Sequence, residues 1–184
     1  MEINRIGNIA KQILIFAICN LPFVITSSFA QSTKKSNQEF IVKFDNAEEF
    51  LENENYIKAL PILFALDSMD PGNANVKYKI GQCYLQSAFE KDKAIPFLEK
   101  AIHAVNPKYI GSTASERRAP VMAWFDLAHA YHLNYQFDTA VGCFHKFKKI
   151  LSEKEKSLIN MADRQIKMCM AARQLVDKPT KAII

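Results

Sequence analysis

The stretch Lys93-Ala94-Ile95-Pro96 repeats an earlier one, Lys58-Ala59-Leu60-Pro61, and this repetition decides the fold. Each phrase leads an apolar segment with helical spacing, which we expect to end at Asp70-Pro71 in the first case and at Asn106-Pro107 in the second. The second residues of the two phrases lie 35 positions apart, and a fixed period of this length is typical of solenoids. A proline is tolerated in the first helical turn because those N–H groups have no partner within the helix.

The composition favours a single all-α domain. The chain has 184 residues, of which 49% are hydrophobic, and 5 glycines, which suits one core of ordinary size. A net charge of +5 is too small to indicate a nucleic-acid partner, which usually shows as a dense basic stripe. The richest basic run, over residues 146–156, is interleaved with Glu153 and Glu155, so we expect a solvated helix face there and no nucleic-acid partner.

Three units can be aligned on the repeated phrase, over residues of about 40–73, 74–107 and 120–152. The third unit carries the fullest set of large, small and aromatic positions: Trp124, Leu127, Ala128, Tyr131, Phe137, Ala140 and Phe144. The second unit carries Ile80, Gly81, Tyr84, Ala94, Leu98 and Ala101. The first unit carries Ala47, Phe50, Tyr56, Ala59, Leu63 and Pro71. Lys43 and Asn46 stand at the positions that Trp124 and Leu127 occupy in the third unit.

This pattern resembles the tetratricopeptide-repeat (TPR) family, in which two antiparallel helices form a unit of about 34 residues. The resemblance implies an all-α solenoid of three helix-turn-helix repeats plus a C-terminal capping helix. We expect that capping helix over residues 153–176, started by a capping box at Ser152–Glu155. A short tail follows over residues 177–184.

The third unit is displaced by an insertion over residues 106–119, which Pro, Gly, Ser and Thr residues keep from any regular periodicity. We expect an extended loop that ends where Pro120 opens the next helix. Arg117 and Arg118 in this loop suit a contact point, since inserted loops often carry binding. An ordinary solvated turn explains them equally well.

The N-terminus has the order of a secretory signal. Two positive side chains precede the uncharged run Ile13–Phe29, and Ser28 and Ala30 are small residues at the positions a signal peptidase reads. We therefore expect a signal peptide over residues 1–30, a flexible linker over 31–39, and a protein of the periplasm or associated with the outer membrane. An uncleaved membrane anchor and lipidation at Cys19 are the alternatives. Membrane contact is expected only through partners or an uncleaved signal.

The TPR resemblance also implies a partner-binding groove on the inner face of the first helix of each unit. Its positions correspond to Phe44, Glu48, Leu51, Tyr78, Gln82, Leu85, Phe125, His129 and His132. The rings of Phe44, Tyr78 and Phe125 would form a partly exposed ladder suited to capturing a peptide. Neighbouring repeats or the C-terminal helix could instead cover these rings.

Nothing in the sequence indicates catalysis, a cofactor or a metal. His129, His132, Cys143 and His145 lie on adjacent predicted helices, but no carboxylates join them at metal-ligand spacing. Phosphate-binding loops and nucleophile motifs are absent from the sequence. After export, Cys83, Cys143 and Cys169 would be buried on helices, with pairing of any two left open.

The sequence therefore predicts a non-catalytic scaffold that binds another envelope protein or peptide segment through its groove. The alternative is a structural module that positions other parts of an outer-membrane complex. The segment Tyr56–Pro71, the long loop before Trp124 and the ending Asp177-Lys178-Pro179 resemble the N-terminal TPR module of OmpA-like and β-propeller envelope proteins of Gram-negative bacteria, some of them associated with type IX secretion and gliding.

Overall fold

The structure is a computed structural model that describes residues 36–88 and 90–177. It divides into two compact units, Met1–Val42 and Lys43–Ile184. Residues 36–52 are helical, so 36–39, which we expected in a linker, are helical instead. The part of this helix in the second unit, over 43–52, is called α1. The predicted signal peptide, residues 31–35 and residues 178–184 lie outside the described part of the chain.

The second unit is built almost entirely from helices, which confirms the all-α class. After α1 come α2 (Tyr56–Met69), α3 (Ala74–Gln86), a 3-10 turn (Lys91–Lys93), α4 (Ala94–Ala101), α5 (Ala123–Leu133), α6 (Phe137–Ile150) and α7 (Lys156–Val176). Two short strands, β1 (Val105–Asn106) and β2 (Ala119–Pro120), pair in parallel. From α2 onward, each helix packs against the next one in the chain, and α3 also contacts α5 and β2.

Small residues lie where these helices touch. Ala59, Ala94, Ala128 and Ala140 are all fully buried. The closest approach is at Gly81 of α3, where an added Cβ would lie 2.5 Å from Cγ of Leu98 on α4. Helix axes can come this close only when the contact residue has little or no side chain.

Helix α3 lies at the centre of the packing, with ten of its 13 residues buried. Its sequence is not apolar, and the buried set includes Lys77 and Lys79. Lys77 forms an ion pair with Asp67 of α2 and donates to the carbonyl of Pro71 at 2.6 Å. Lys79 pairs with Glu48 of α1 at 2.7 Å. Buried charges are tolerated only with such partners, so α3 ties α1 and α2 to the core.

Asparagine caps determine where α2 and α3 begin. The side chain of Asn55 accepts from the amide of Lys58, and that of Asn73 accepts from the amide of Val76. Because Asn55 starts α2 at Tyr56, Pro61 lies inside the helix rather than in its first turn as predicted. The end of α2 at Met69, before Asp70-Pro71, agrees with the prediction.

Three other boundaries differ from the sequence prediction. Helix α4 ends at Ala101 rather than near Asn106, because the chain turns there and enters β1. Pro120 does not open a helix but lies in β2, and α5 begins at Ala123. Helix α7 begins at Lys156, and only half of the capping box forms: the Glu155 carboxylate accepts from the amide of Ser152 at 2.7 Å.

The three cysteines of the described region, Cys83, Cys143 and Cys169, are free and buried. Burial raises the pKa of the Cys83 thiol to about 12 and that of Cys143 to about 11. These thiols are therefore protonated at neutral pH and act as small apolar side chains. Within residues 36–88 and 90–177, no helix has both the length and the apolar character needed to cross a membrane.

The close contact between α3 and α4 leads to a first prediction. Gly81→Ala would place a methyl group against Leu98, which is fully buried. Overpacking of this kind usually costs about 1–3 kcal/mol, more than the gain of up to about 1 kcal/mol in helix propensity. We expect Gly81→Ala to lower the free energy of unfolding by about 1 kcal/mol or more, measured by urea denaturation.

The matched control is Gly142→Ala in α6, where an added Cβ meets no atom within 4 Å. That substitution should stabilise the protein by roughly 0.5–1 kcal/mol through helix propensity alone. If both alanine substitutions stabilise the protein equally, Gly81 does not lie as close to Leu98 as described here.

Candidate functional site

The insertion between β1 and β2 caps the start of α3. The carbonyl of Arg117 accepts from the amides of Ala74 and Asn75 at 2.9 and 3.4 Å. The next amide, that of Val76, is already bonded to Asn73, so the first three N–H groups of α3 all have acceptors. Outside the helix, the Arg117 guanidinium pairs with Asp70 at 2.6 Å. The predicted loop is thus a fixed part of the structure and supplies the helix cap.

Polar contacts with Asn75 and Asn106 hold the loop in place. Asn75, which is fully buried, donates from Nδ2 to the carbonyl of Glu116 at 3.1 Å and accepts at Oδ1 from the Tyr109 hydroxyl at 2.5 Å. Asn106 donates to the Glu116 carboxylate at 2.6 Å. The amide of Arg118 also donates to that carboxylate, and this bond contributes most to lowering the pKa of Glu116.

Tyr109 brings the loop over the face of α3 that the sequence assigned to the groove. Its ring makes an edge contact with Tyr78, with centroids 6.2 Å apart. Burial raises the pKa of Tyr109, and the nearby Glu48 and Glu116 raise it further. An added Cβ at Gly111 would lie 2.6 Å from the Tyr109 ring, so the ring position depends on glycine there.

The predicted ladder of exposed rings is wrong for two of its three members. Phe44 is 0% exposed and Tyr78 is 5% exposed. Phe44 is buried beneath Lys79, whose ammonium lies 5.5 Å from the ring centroid. Tyr78 is covered by Tyr109. Leu85, another predicted groove residue, is also buried. The loop and the buried lysine contacts could not be anticipated from repeat spacing.

The other predicted groove residues are at least partly accessible. Glu48, Leu51, Gln82, Phe125 and His132 are half-buried, and His129 is exposed. Phe125 packs edge-on against Phe144 and Phe147 of α6, with centroids 5.1 and 5.4 Å away. Gln82 donates from its amide to the Tyr78 hydroxyl oxygen at 2.7 Å. Four of these residues define a surface that we call the α3–α5 face: Gln82 on α3, and Phe125, His129 and His132 on α5.

The histidines of this face do not form a metal site with Cys143. His132 Nδ1 lies 3.1 Å from Sγ of Cys169 on α7 instead. Desolvation lowers the pKa of His129, and the nearby His132 and Lys91 lower it further. No three His, Cys, Asp or Glu side chains gather as metal ligands anywhere in the described ranges.

Asp126 is a member of this region that sequence reasoning missed. Desolvation raises the pKa of its carboxyl to about 6. Interactions with Tyr78 and Gln82 lower this pKa, but desolvation is the larger effect. Its Oδ2 atom is enclosed and has no hydrogen-bond partner in the part of the chain that the structure describes. An acidic residue in the first turn of a helix normally complements the helix dipole, so nothing in the sequence pattern singled out Asp126.

A separate cavity of about 660 Å³ opens between the start of α2 and the end of α3. Its lining includes Tyr56, Ile57, Leu60 and Tyr84. The side chain of Ile57 is exposed, with 84% of its surface accessible. This apolar cavity is a second concave surface, distinct from the α3–α5 face.

No family model and no curated protein matches the chain. The contacts described above provide a partly accessible polar and aromatic surface on α3 and α5.

The bond between Tyr109 and Asn75 gives a second prediction. Tyr109→Phe keeps the ring and leaves Oδ1 of Asn75 buried without its donor. An unsatisfied buried polar atom costs about 1–3 kcal/mol, so we expect a comparable loss in the free energy of unfolding. Tyr135→Phe serves as the control, because Tyr135 is 75% exposed and should tolerate the change. Equal stability of the two variants in thermal denaturation would show that the Tyr109 hydroxyl does not bond to Asn75.

The environment of Asp126 gives a third prediction, on pH. Its folded-state pKa of about 6 lies above the ordinary aspartate pKa of 3.8, so the folded protein binds this proton more tightly than the unfolded chain. The resulting stabilisation is complete below pH 3.8 and is lost as the pH rises through about 6. Asp126→Asn removes the ionisation and should stabilise the protein at pH 8 by about 1–2 kcal/mol.

The measurement is urea denaturation of wild type and variant at pH 5 and pH 8. The difference between the two proteins should be larger at pH 8. Asp45→Asn on the exposed surface of α1 removes the same formal charge and should show no such difference. An Asp126→Asn protein that is less stable than wild type at pH 8 would contradict the assignment.

Proposed function

We propose that this protein is a non-catalytic TPR-like scaffold of the bacterial envelope that binds another envelope protein or peptide segment. The neighbour-to-neighbour helix packing supports the solenoid reading, because in solenoids each unit contacts only its neighbours. The close contact at Gly81 and the buried alanines Ala94 and Ala140 occupy the small-residue positions of the TPR pattern.

The α3–α5 face is the partner surface that we favour. It combines the half-buried ring of Phe125 with the polar groups of Gln82 and His129, on two helices held rigidly by the core. Binding hot spots are usually amphipathic side chains on such pre-organised surfaces. The single observation that carries this proposal is that these residues stay accessible while Phe44 and Tyr78 do not.

Export to the periplasm is part of the same proposal. It is supported by the charged start, the uncharged run and the small residues before Gln31. An association with the outer membrane would then come through the bound partner.

A second function, positioning other parts of an outer-membrane complex, is favoured by the end of the helical stack. Helix α7 leaves Met168, Leu175 and Val176 exposed, with accessible fractions of 53%, 71% and 61%. Apolar side chains at the end of a stack suit contact with a further domain or protein. Under this alternative, the complex would be of the OmpA-like or type IX secretion-associated kind.

Capture of a partner from an envelope extract separates the two surfaces. We expect the double variant Gln82→Ala, His129→Ala to reduce capture of a given partner by about tenfold or more, since hot-spot truncation typically costs about 2 kcal/mol. Its circular dichroism should match that of wild type. Ile57→Ser, in the cavity between α2 and α3, is the surface control and should leave capture unchanged.

Leu175→Ser tests the alternative function. Loss of capture with Leu175→Ser and full capture with the double variant would refute the α3–α5 face and favour the end of α7. Full capture by all three variants would remove both surfaces from consideration.

A further inference from the structure

The cavity between the start of α2 and the end of α3 is bordered by two turns of the chain. One turn joins α1 to α2 over residues 53–55, and the other follows α3 at residues 87, 88 and 90. The cavity volume of about 660 Å³ lies within the range of about 300–1,000 Å³ that is typical of small-molecule sites. Aromatic and aliphatic residues of the two helices form its wall: Tyr56, Ile57, Leu60 and Tyr84.

Apolar surface in this cavity is open to solvent. Ile57 is 84% exposed. Tyr56, Leu60 and Tyr84 are half-buried. The wall is held from behind, because the ring of Tyr84 stacks on Phe97 of α4 with centroids 6.1 Å apart. A ligand with an apolar body removes this surface from water, and a wall that is already formed lowers the free-energy cost of binding.

The cavity carries negative charge in a protein that is basic overall. Glu54 and Glu90 line it, one on each of the two turns. Among the described residues that form the lining, none is a lysine, an arginine or a histidine. The whole chain has a net charge of +5, so two carboxylates at one cavity stand out against the rest of the surface. Both glutamates are exposed and therefore accessible to a ligand.

The lysines nearest in sequence leave these carboxylates available. Lys58 contacts an aromatic ring and Lys91 donates to a backbone carbonyl. Lys93 pairs with Glu90 at 2.6 Å, but both side chains are at least half exposed, and such surface pairs contribute little free energy. A ligand cation can therefore replace Lys93. Glu54 forms no ion pair within residues 36–88 and 90–177.

The backbone at both glutamates is unusual for this residue type. Glu54 has a φ of 55° and Glu90 a φ of 61°, in the left-handed region that glycine and asparagine adopt most easily. Tyr135 has the same φ of 61° in the turn between α5 and α6, so the conformation is common to all three turns. The side chain differs, because glutamate stands at the two turns that border the cavity and tyrosine at the one that does not. The carboxylates are thus not a requirement of the turn itself.

We propose that this cavity binds a small organic cation with an apolar body, of the arylalkylammonium class. The wall of Tyr56, Ile57 and Leu60 covers the apolar body. The ammonium group binds between the carboxylates of Glu54 and Glu90, through charge-assisted hydrogen bonds. The aromatic rings beside it add a further attraction for a cation. The cavity is separate from the α3–α5 face, so this inference goes beyond the proposed function and does not depend on it.

The test compares three probes with the same apolar body and different head groups: 4-phenylbutylammonium, 4-phenylbutan-1-ol and 4-phenylbutyrate. Each probe is titrated at neutral pH into the isotope-labelled protein, and the amide signals of the first turn of α2 and the last turn of α3 are followed by NMR. We expect the ammonium probe to bind with a Kd of about 1 mM or lower, as its size allows. The alcohol should bind at least about fivefold more weakly and the carboxylate more weakly still.

Variants of exposed residues make the result specific without disturbing the core. The double variant Glu54→Gln, Glu90→Gln should bring the ammonium and alcohol probes to within about twofold of each other. The control Asp45→Asn, Glu153→Gln removes the same two charges elsewhere and should keep the preference for ammonium. Ile57→Ser should weaken binding of both probes by about threefold or more, because it removes part of the apolar wall.

Three results would overturn the proposal. If the ammonium probe at up to about 10 mM shifts no signals of α2 and α3 beside the cavity, the cavity is not its site. Equal binding of the three probes would exclude recognition of a cation. An unchanged preference for ammonium in folded Glu54→Gln, Glu90→Gln would exclude the two carboxylates as its cause. None of these results affects the capture experiment with Gln82→Ala, His129→Ala, which concerns the α3–α5 face.

Discussion

The structure depends on burying a polar helix. Helix α3 carries Asn75, Lys77 and Lys79 inside the core, and each of them requires a partner from another part of the chain. The insertion provides the partners of Asn75, α2 provides Asp67, and α1 provides Glu48. Because an unpaired buried charge is far more unfavourable than a lost apolar contact, these bonds fix where the surrounding segments lie.

The helices and their contacts could largely be predicted because the relevant information is local. Alanine and proline in the repeated phrase identified α2 and α4, and the residues following α2 marked its end at Met69. Gly81 lies at a small-residue position of the repeat pattern, and only a small residue allows two helices to approach as closely as α3 and α4 do. The contact between α3 and α4 thus follows from residue size and spacing.

The insertion and the site could not be predicted in the same way, because their contacts join residues far apart in sequence. Tyr109 and Asn75 are separated by 34 positions, and no periodicity connects them. The repeat spacing predicted that Tyr78 and Gln82 lie on the same face of α3. It could not predict that the ring of Tyr109 packs against Tyr78. Asp126 was missed because a carboxylate in the first turn of α5 has an ordinary explanation.

Native-state hydrogen exchange most directly tests the central claim, that the polar segment of α3 over residues 74–81 is enclosed by the rest of the fold. The amides of this segment, including those of Ala74 and Asn75 that donate to Arg117, should exchange only through global unfolding. The last turn of α7, where Leu175 and Val176 are exposed, should exchange through local fraying and therefore much faster. If the first turn of α3 exchanges as fast as the last turn of α7, the insertion does not seal the helix, and this account of the fold and its site is contradicted.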